Sequence, residues 1–164
     1  MTPLASQSPR YEKSVSIKDE PSVSQSSPKR EDAKFEDKLA TPRPARRNAD
    51  DAKALALNVA SAAMDKKAQH VEIIDVRGKV DYADYVVIMS GRSDRQVNAI
   101  AKAVQTTLKV EHGEPCLGVE GLPQGQWVLM DFGDVIVHIF HEDTRGYYDL
   151  ESLWMDAARV EVDA

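Results

Sequence analysis

The run Trp127-Val-Leu-Met-Asp-Phe-Gly-Asp-Val-Ile-Val-His-Ile-Phe140 constrains the fold more than any other segment, because two alternating apolar stretches flank a Gly-Asp pair. A tight two-residue hairpin turn needs a residue that accepts positive φ without steric cost, and glycine does. With Gly133 and Asp134 at the turn, Phe132 faces Val135, Met130 faces Val137 and Val128 faces Ile139. That face is wholly apolar and reads as core. The opposite face sets Trp127 across from Phe140, Leu129 across from His138 and Asp131 across from Ile136. Exposed, such a mixture resembles an interface; the alternative is that Trp127 and Phe140 lie beneath another layer of the fold.

The chain divides near residue 49. Residues 1–49 hold six of the eight prolines, eight serines and two aromatics, Tyr11 and Phe35. Such a segment buries too little apolar surface to offset its ordering entropy, so disorder is expected. It carries ten Lys and Arg against seven Asp and Glu, or +3, whereas residues 50–164 carry 11 against 20, or −9. The expected organisation is therefore a basic tail, 1–49, on an acidic domain, 50–164. An acidic domain gains nothing from releasing phosphate counterions, which argues against direct DNA or RNA binding by the folded part, sequence-specific binding included, and for a basic protein partner. The lone Cys116 allows no internal disulfide, no apolar run reaches membrane-spanning length, and Glu12, Asp19 and Glu20 disfavour a mitochondrial presequence. The expected location is the cytoplasm.

Asn48 or Asp50 can cap a helix running to about Lys67, with Leu55, Val59, Ala62 and Ala63 on one stripe. Val71–Val76 and Tyr85–Met89 read as strands. A second helix spans about Asp94 to Lys109 on the stripe Val97, Ile100, Ala101, Val104 and Leu108, and Gly113 ends it. Residues 116–119 form a short strand. After the hairpin, a polar turn through Glu142, Asp143 and Gly146 leads to a last helix that puts Leu150, Leu153 and Trp154 on one face. The expectation is an α/β fold of mixed α+β type, a mixed sheet of about five strands flanked by helices.

Two segments invite catalytic readings. Ser90-Gly-Arg-Ser-Asp-Arg-Gln96 joins a strand to a helix, where backbone N–H groups can cradle phosphate, but Ser93 and Gln96 also make a capping box. Asp131 and Asp134 with His138 or His141 suggest a metal site. Their spacing does not align both carboxylates on one strand face, and a turn aspartate stabilising its own backbone explains Asp134. An active or degenerate nucleotidyltransferase built on Ser93 and Asp131 stays open as an alternative.

Three ordered motifs, Asp84-Tyr-Val-Val-Ile-Met-Ser-Gly-Arg-Ser-Asp-Arg-Gln-Val97, Trp127 to Phe140, and Arg145-Gly-Tyr-Tyr-Asp-Leu-Glu-Ser-Leu-Trp154, closely resemble the ribosomal silencing factor RsfS, or Iojap, family over about residues 50–158. The tail has no counterpart in the family's common pattern. The resemblance implies a nucleotidyltransferase-like topology without the catalytic residues, no cofactor and no enzymatic activity. It further implies a factor that binds a basic ribosomal protein, the fourteenth of the large-subunit series, and sterically blocks subunit joining to repress translation. Carried onto matching positions, it makes Trp127, Asp131, His138, Arg145, Tyr148 and Trp154 the protein-binding candidates. A homodimer through the hairpin face is a further expectation to test.

Overall fold

A computed structural model describes residues 47–162. The disorder expected of the tail lies outside them, apart from its last three residues. The elements are α1 (Ala49–Met64), β1 (Gln69–Asp75), β2 (Tyr85–Gly91), α2 (Asp94–His112), β3 (Gly118–Glu120), β4 (Trp127–Asp131), β5 (Val135–His141), α3 (Glu142–Tyr148), a 3-10 turn (Leu150–Trp154) and β6 (Arg159–Val160). No described helix is long and apolar enough to cross a membrane.

The sheet has six strands in the order β3-β4-β5-β2-β1-β6. Its central pair, β2 and β5, is parallel and the other pairs are antiparallel, so the fold is the expected mixed α/β type. The extra strand is β6, two residues laid against Ile73 and Ile74; nothing so short carries a periodic signal.

Asn48 caps α1, its side-chain oxygen accepting from the Asp51 N–H at 2.9 Å. The alanine-rich stripe of α1 and the Val97–Leu108 stripe of α2 pack on one sheet face, against Ile73, Val87, Met89, Val128, Met130, Val137 and Ile139. Small side chains let α1 approach the sheet closely. Gly113 ends α2 in a left-handed conformation at φ 66°. Each fully buried Ile or Val on this face contributes roughly 1.5–3 kcal/mol, which makes the layer the main source of stability.

The hairpin has the register expected from the sequence: Trp127 pairs Phe140, Leu129 pairs His138, Met130 pairs Val137 and Asp131 pairs Ile136. Gly133 takes φ 95° at the turn, and the Phe132 N–H donates to the Val135 carbonyl at 3.0 Å. The two turn carboxylates divide the work differently from expectation. Asp131, not Asp134, steadies the turn, accepting from the Gly133 N–H at 2.8 Å. Asp134 instead accepts from the backbone N–H of Arg47 at 2.9 Å and pairs with its guanidinium, tying the hairpin to the start of α1.

Candidate functional site

The second sheet face carries Ile74, Val86, Ile88, Ser90, Leu129, Ile136, His138 and Phe140, all buried. The mixed hairpin face is therefore no open surface, and Phe140 and His138 are 0 % and 3 % exposed. Among described elements, α3 packs at the end of this face where β2 and β5 finish. Register explains the arrangement: Trp127, Phe140, Ser90 and Gln69 form one continuous row across four strands.

Four rings gather at that row. Trp127 lies 5.0 Å from Phe140, 5.9 Å from His138 and 4.7 Å from Tyr148 between ring centroids. The Trp127 indole N–H donates to His138 Nδ1 at 3.0 Å, which leaves the imidazole proton on Nε2. Burial pushes the His138 pKa down to about 3, so the ring is neutral and acts as an acceptor that orients the indole. It is no base at neutral pH.

That neutrality has a measurable consequence. An unfolded chain protonates His138 near its ordinary 6.5, whereas the folded chain waits until about 3. Between those values the unfolded state binds the extra proton, so stability falls as pH drops through the window, by up to about 1.4 kcal/mol per pH unit. Denaturant unfolding of wild type and His138→Phe over this range should show a weaker acid sensitivity in the variant. Parallel curves would mean that His138 titrates normally.

Arg145 is the other organising residue. It sits in α3, with its side chain 10 % exposed and spread across three elements. Its Nε donates to Glu151 at 2.7 Å, and one terminal nitrogen donates to the His70 carbonyl at 2.7 Å and Ser90 Oγ at 2.9 Å. The other terminal nitrogen stands 3.8 Å from Glu72. The His70 carbonyl is available because β1 carries an irregularity between Gln69 and Glu72, where His70 takes φ 51°. A local break in β1 thus receives a side chain from α3.

The six candidates do not form one exposed patch. Trp127, His138 and Tyr148 meet directly. Arg145 buttresses the helix that carries Tyr148. Asp131 is buried at the other end of β4, and Trp154 is 7 % exposed in the 3-10 turn, its carbonyl accepting from Arg159 at 2.9 Å. The surface next to the ring cluster includes Tyr147, which the sequence reading passed over; it is 68 % exposed and its ring lies 5.1 Å from that of Tyr148, while further along the chain Leu153 and Met155 are 67 % and 80 % exposed. Their helical spacing misled: Glu142–Tyr148 is itself a helix, and Asp149 at φ 46° ends it, so Leu153 turns outward while Trp154 turns in.

The nucleotidyltransferase alternative needs Ser93 near Asp131. Asp131 lies in the Ile136–Val86 row and Ser90 in the Phe140 row, four residues further along the strands. At about 3.3 Å per residue the two rows are roughly 13 Å apart, and Ser93 lies beyond the second. Ser93 Oγ accepts from the Gln96 N–H at 3.1 Å, as a helix cap does.

A family model, ribosomal silencing factor during starvation (RsfS), matches residues 49–164. The ribosomal silencing factor RsfS of Bacillus subtilis is 44 % identical over 108 residues, covering 65 % of this chain and 91 % of that one. The chloroplastic protein Iojap of Zea mays is 31 % identical over 115 residues, covering 69 % of this chain and 50 % of that one. Among solved structures, a Chromobacterium violaceum protein superposes with TM-score 0.62 at 33 % identity, covering 69 % of this chain and 92 % of that chain. A Bacillus halodurans protein gives 0.60 at 39 % identity, covering 67 % and 99 %. With a family model running through the whole described fold and relatives agreeing in sequence and structure, the chain belongs to the ribosomal silencing factor (RsfS) family.

Proposed function

We propose that this chain represses translation as a non-enzymatic cytoplasmic factor, by docking on a basic protein of the large ribosomal subunit and keeping the small subunit away. The observation that carries this reading is the family match over residues 49–164. The charge agrees with it, since residues 50–164 hold 20 Asp and Glu against 11 Lys and Arg and so suit a basic partner. The docking surface is the ring cluster where it reaches solvent, Trp127 with Tyr148, extended by the exposed Tyr147. Aromatic anchors with a polar rim are the residues that dominate protein interfaces. In this reading His138 and Arg145 serve the interface from beneath, holding the indole and α3 in place. Asp131 and Trp154 stabilise the elements around it.

Sedimentation of the purified chain with isolated ribosomal subunits tests the reading. Comigration with large subunits and not with small ones is expected at moderate salt. A chain that stays at the top of the gradient in both mixtures would count against it.

A further inference from the structure

Among the described residues, five cations are tied to carboxylates. Arg47 pairs with Glu114 and Asp134, Arg77 with Asp75, Lys79 with Asp156, Arg145 with Glu72 and Glu151, and Arg159 with Glu72. Four cations outside those pairs stand together at one corner. Lys66 and Lys67 follow the end of α1, Arg92 and Arg95 lie where β2 passes into α2, and all four are exposed.

A single side chain gathers them. Gln96 Nε2 donates to the Lys66 carbonyl at 3.3 Å and the Lys67 carbonyl at 3.2 Å, while its Oε1 accepts from the Arg92 N–H at 2.7 Å. One amide thus touches the backbones of three cationic residues, and Arg95 is its immediate neighbour in sequence. The acids close by in sequence are Asp65 and Asp94, and Asp94 turns one carboxylate oxygen to the Arg95 N–H at 2.8 Å. Four cations against two acids leave a local balance of +2, in a domain whose 11 cations face 20 acids.

The corner also lies at the docking end of the sheet. The row Trp127, Phe140, Ser90, Gln69 ends two residues from Lys67, and β2 leaves that row through Gly91 to Arg92. Three strand spacings separate Trp127 from Gln69, roughly 14 Å of backbone. A partner large enough to cover Trp127 and Tyr148 therefore has the corner within reach.

We propose that Lys66, Lys67, Arg92 and Arg95 rest on the sugar–phosphate backbone of ribosomal RNA beside the protein docking surface. This rests on the reading that the chain docks on a large subunit. Exposed cations that pair with no carboxylate among the described residues suit phosphates, which ask for charge and no base readout. The acidity of the whole domain keeps it from binding RNA on its own. The phosphate contact forms once the aromatic surface has placed the corner, and it fixes the orientation of the docked domain.

The test compares full-length wild type with the variant carrying Lys66→Gln, Lys67→Gln, Arg92→Gln and Arg95→Gln together, and with a control carrying Lys102→Gln and Lys109→Gln on the exposed side of α2. Affinity for intact large subunits is measured over a series of salt concentrations. Each phosphate contact contributes about 0.7–0.9 to the slope of log affinity against log salt. The corner variant is expected to lose about 3 to 3.5 from that slope and at least about tenfold in affinity near 0.1 M salt, with an unchanged thermal midpoint, while the control keeps both values. Identical slopes and affinities for corner variant and wild type overturn the proposal. A second measurement replaces Arg95→p-benzoylphenylalanine and irradiates the bound complex; cross-links to ribosomal RNA support it, and cross-links to protein alone overturn it. Wild type that fails to bind large subunits at all brings down the silencing reading itself, an outcome separate from failure of the corner alone.

Discussion

Arg145→Ala is expected to destabilise the folded domain by about 3 kcal/mol or more, since removing one partner of a buried charged network leaves the others desolvated and unpaired. Three groups lose a donor at once: the Glu151 carboxylate, the His70 carbonyl and Ser90 Oγ. Glu72 keeps its bond from Arg159 at 3.2 Å and is affected less. Arg145→Lys keeps the charge but lacks the planar fork that reaches β1, β2 and Glu151 together, so it should fall between wild type and alanine. Urea unfolding measures both variants. A loss below about 1 kcal/mol for Arg145→Ala would place the residue with ordinary surface ion pairs.

Trp127→Ala is expected to weaken binding to large ribosomal subunits by about 2 kcal/mol, roughly thirtyfold, as truncation of an aromatic interface anchor does. Because Trp127 is partly buried among Phe140, His138 and Tyr148, the same change also lowers stability, and two further variants separate the effects. Tyr148→Ala removes the exposed ring of the pair and should cost binding with little loss of stability. Trp127→Phe keeps an aromatic ring but deletes the indole N–H that His138 accepts. It should retain most of the stability and only part of the affinity. Titration of fluorescently labelled chain with large subunits reads the affinities, and thermal unfolding reads the fold. Wild-type affinity in both Trp127→Ala and Tyr148→Ala would move the docking surface elsewhere.

Local rules made much of the fold legible. The Gly133 turn fixed the register of β4 and β5 because a side-chain period of two leaves one alignment that keeps the apolar set together. Asn48, Ser93 and Gly113 marked helix ends through caps that need only neighbouring backbone. What escaped depended on distant residues. Helix α3 has no apolar stripe of its own and is held by Arg145 reaching into an irregularity of β1, about 75 residues earlier in the chain. No reading of residues 142–148 alone contains that bond.

The site followed the same division. Trp127 and His138 share a strand face, and their meeting could be read from alternation. The approach of Tyr148 to Trp127 required knowing where α3 returns. Asp131 took the turn-stabilising part expected of Asp134, whose carboxylate is engaged by Arg47, on a segment far away in sequence. The aromatic cluster is thus a product of both scales, with three rings set by the hairpin and one delivered by tertiary structure.

Light scattering of purified large and small subunits, mixed with and without the full-length chain, tests the central claim most directly. The chain should lower the extent of subunit joining in proportion to the large subunits it occupies, and the Trp127→Ala variant should restore joining. Undiminished joining with the large subunits saturated by the chain would contradict the account.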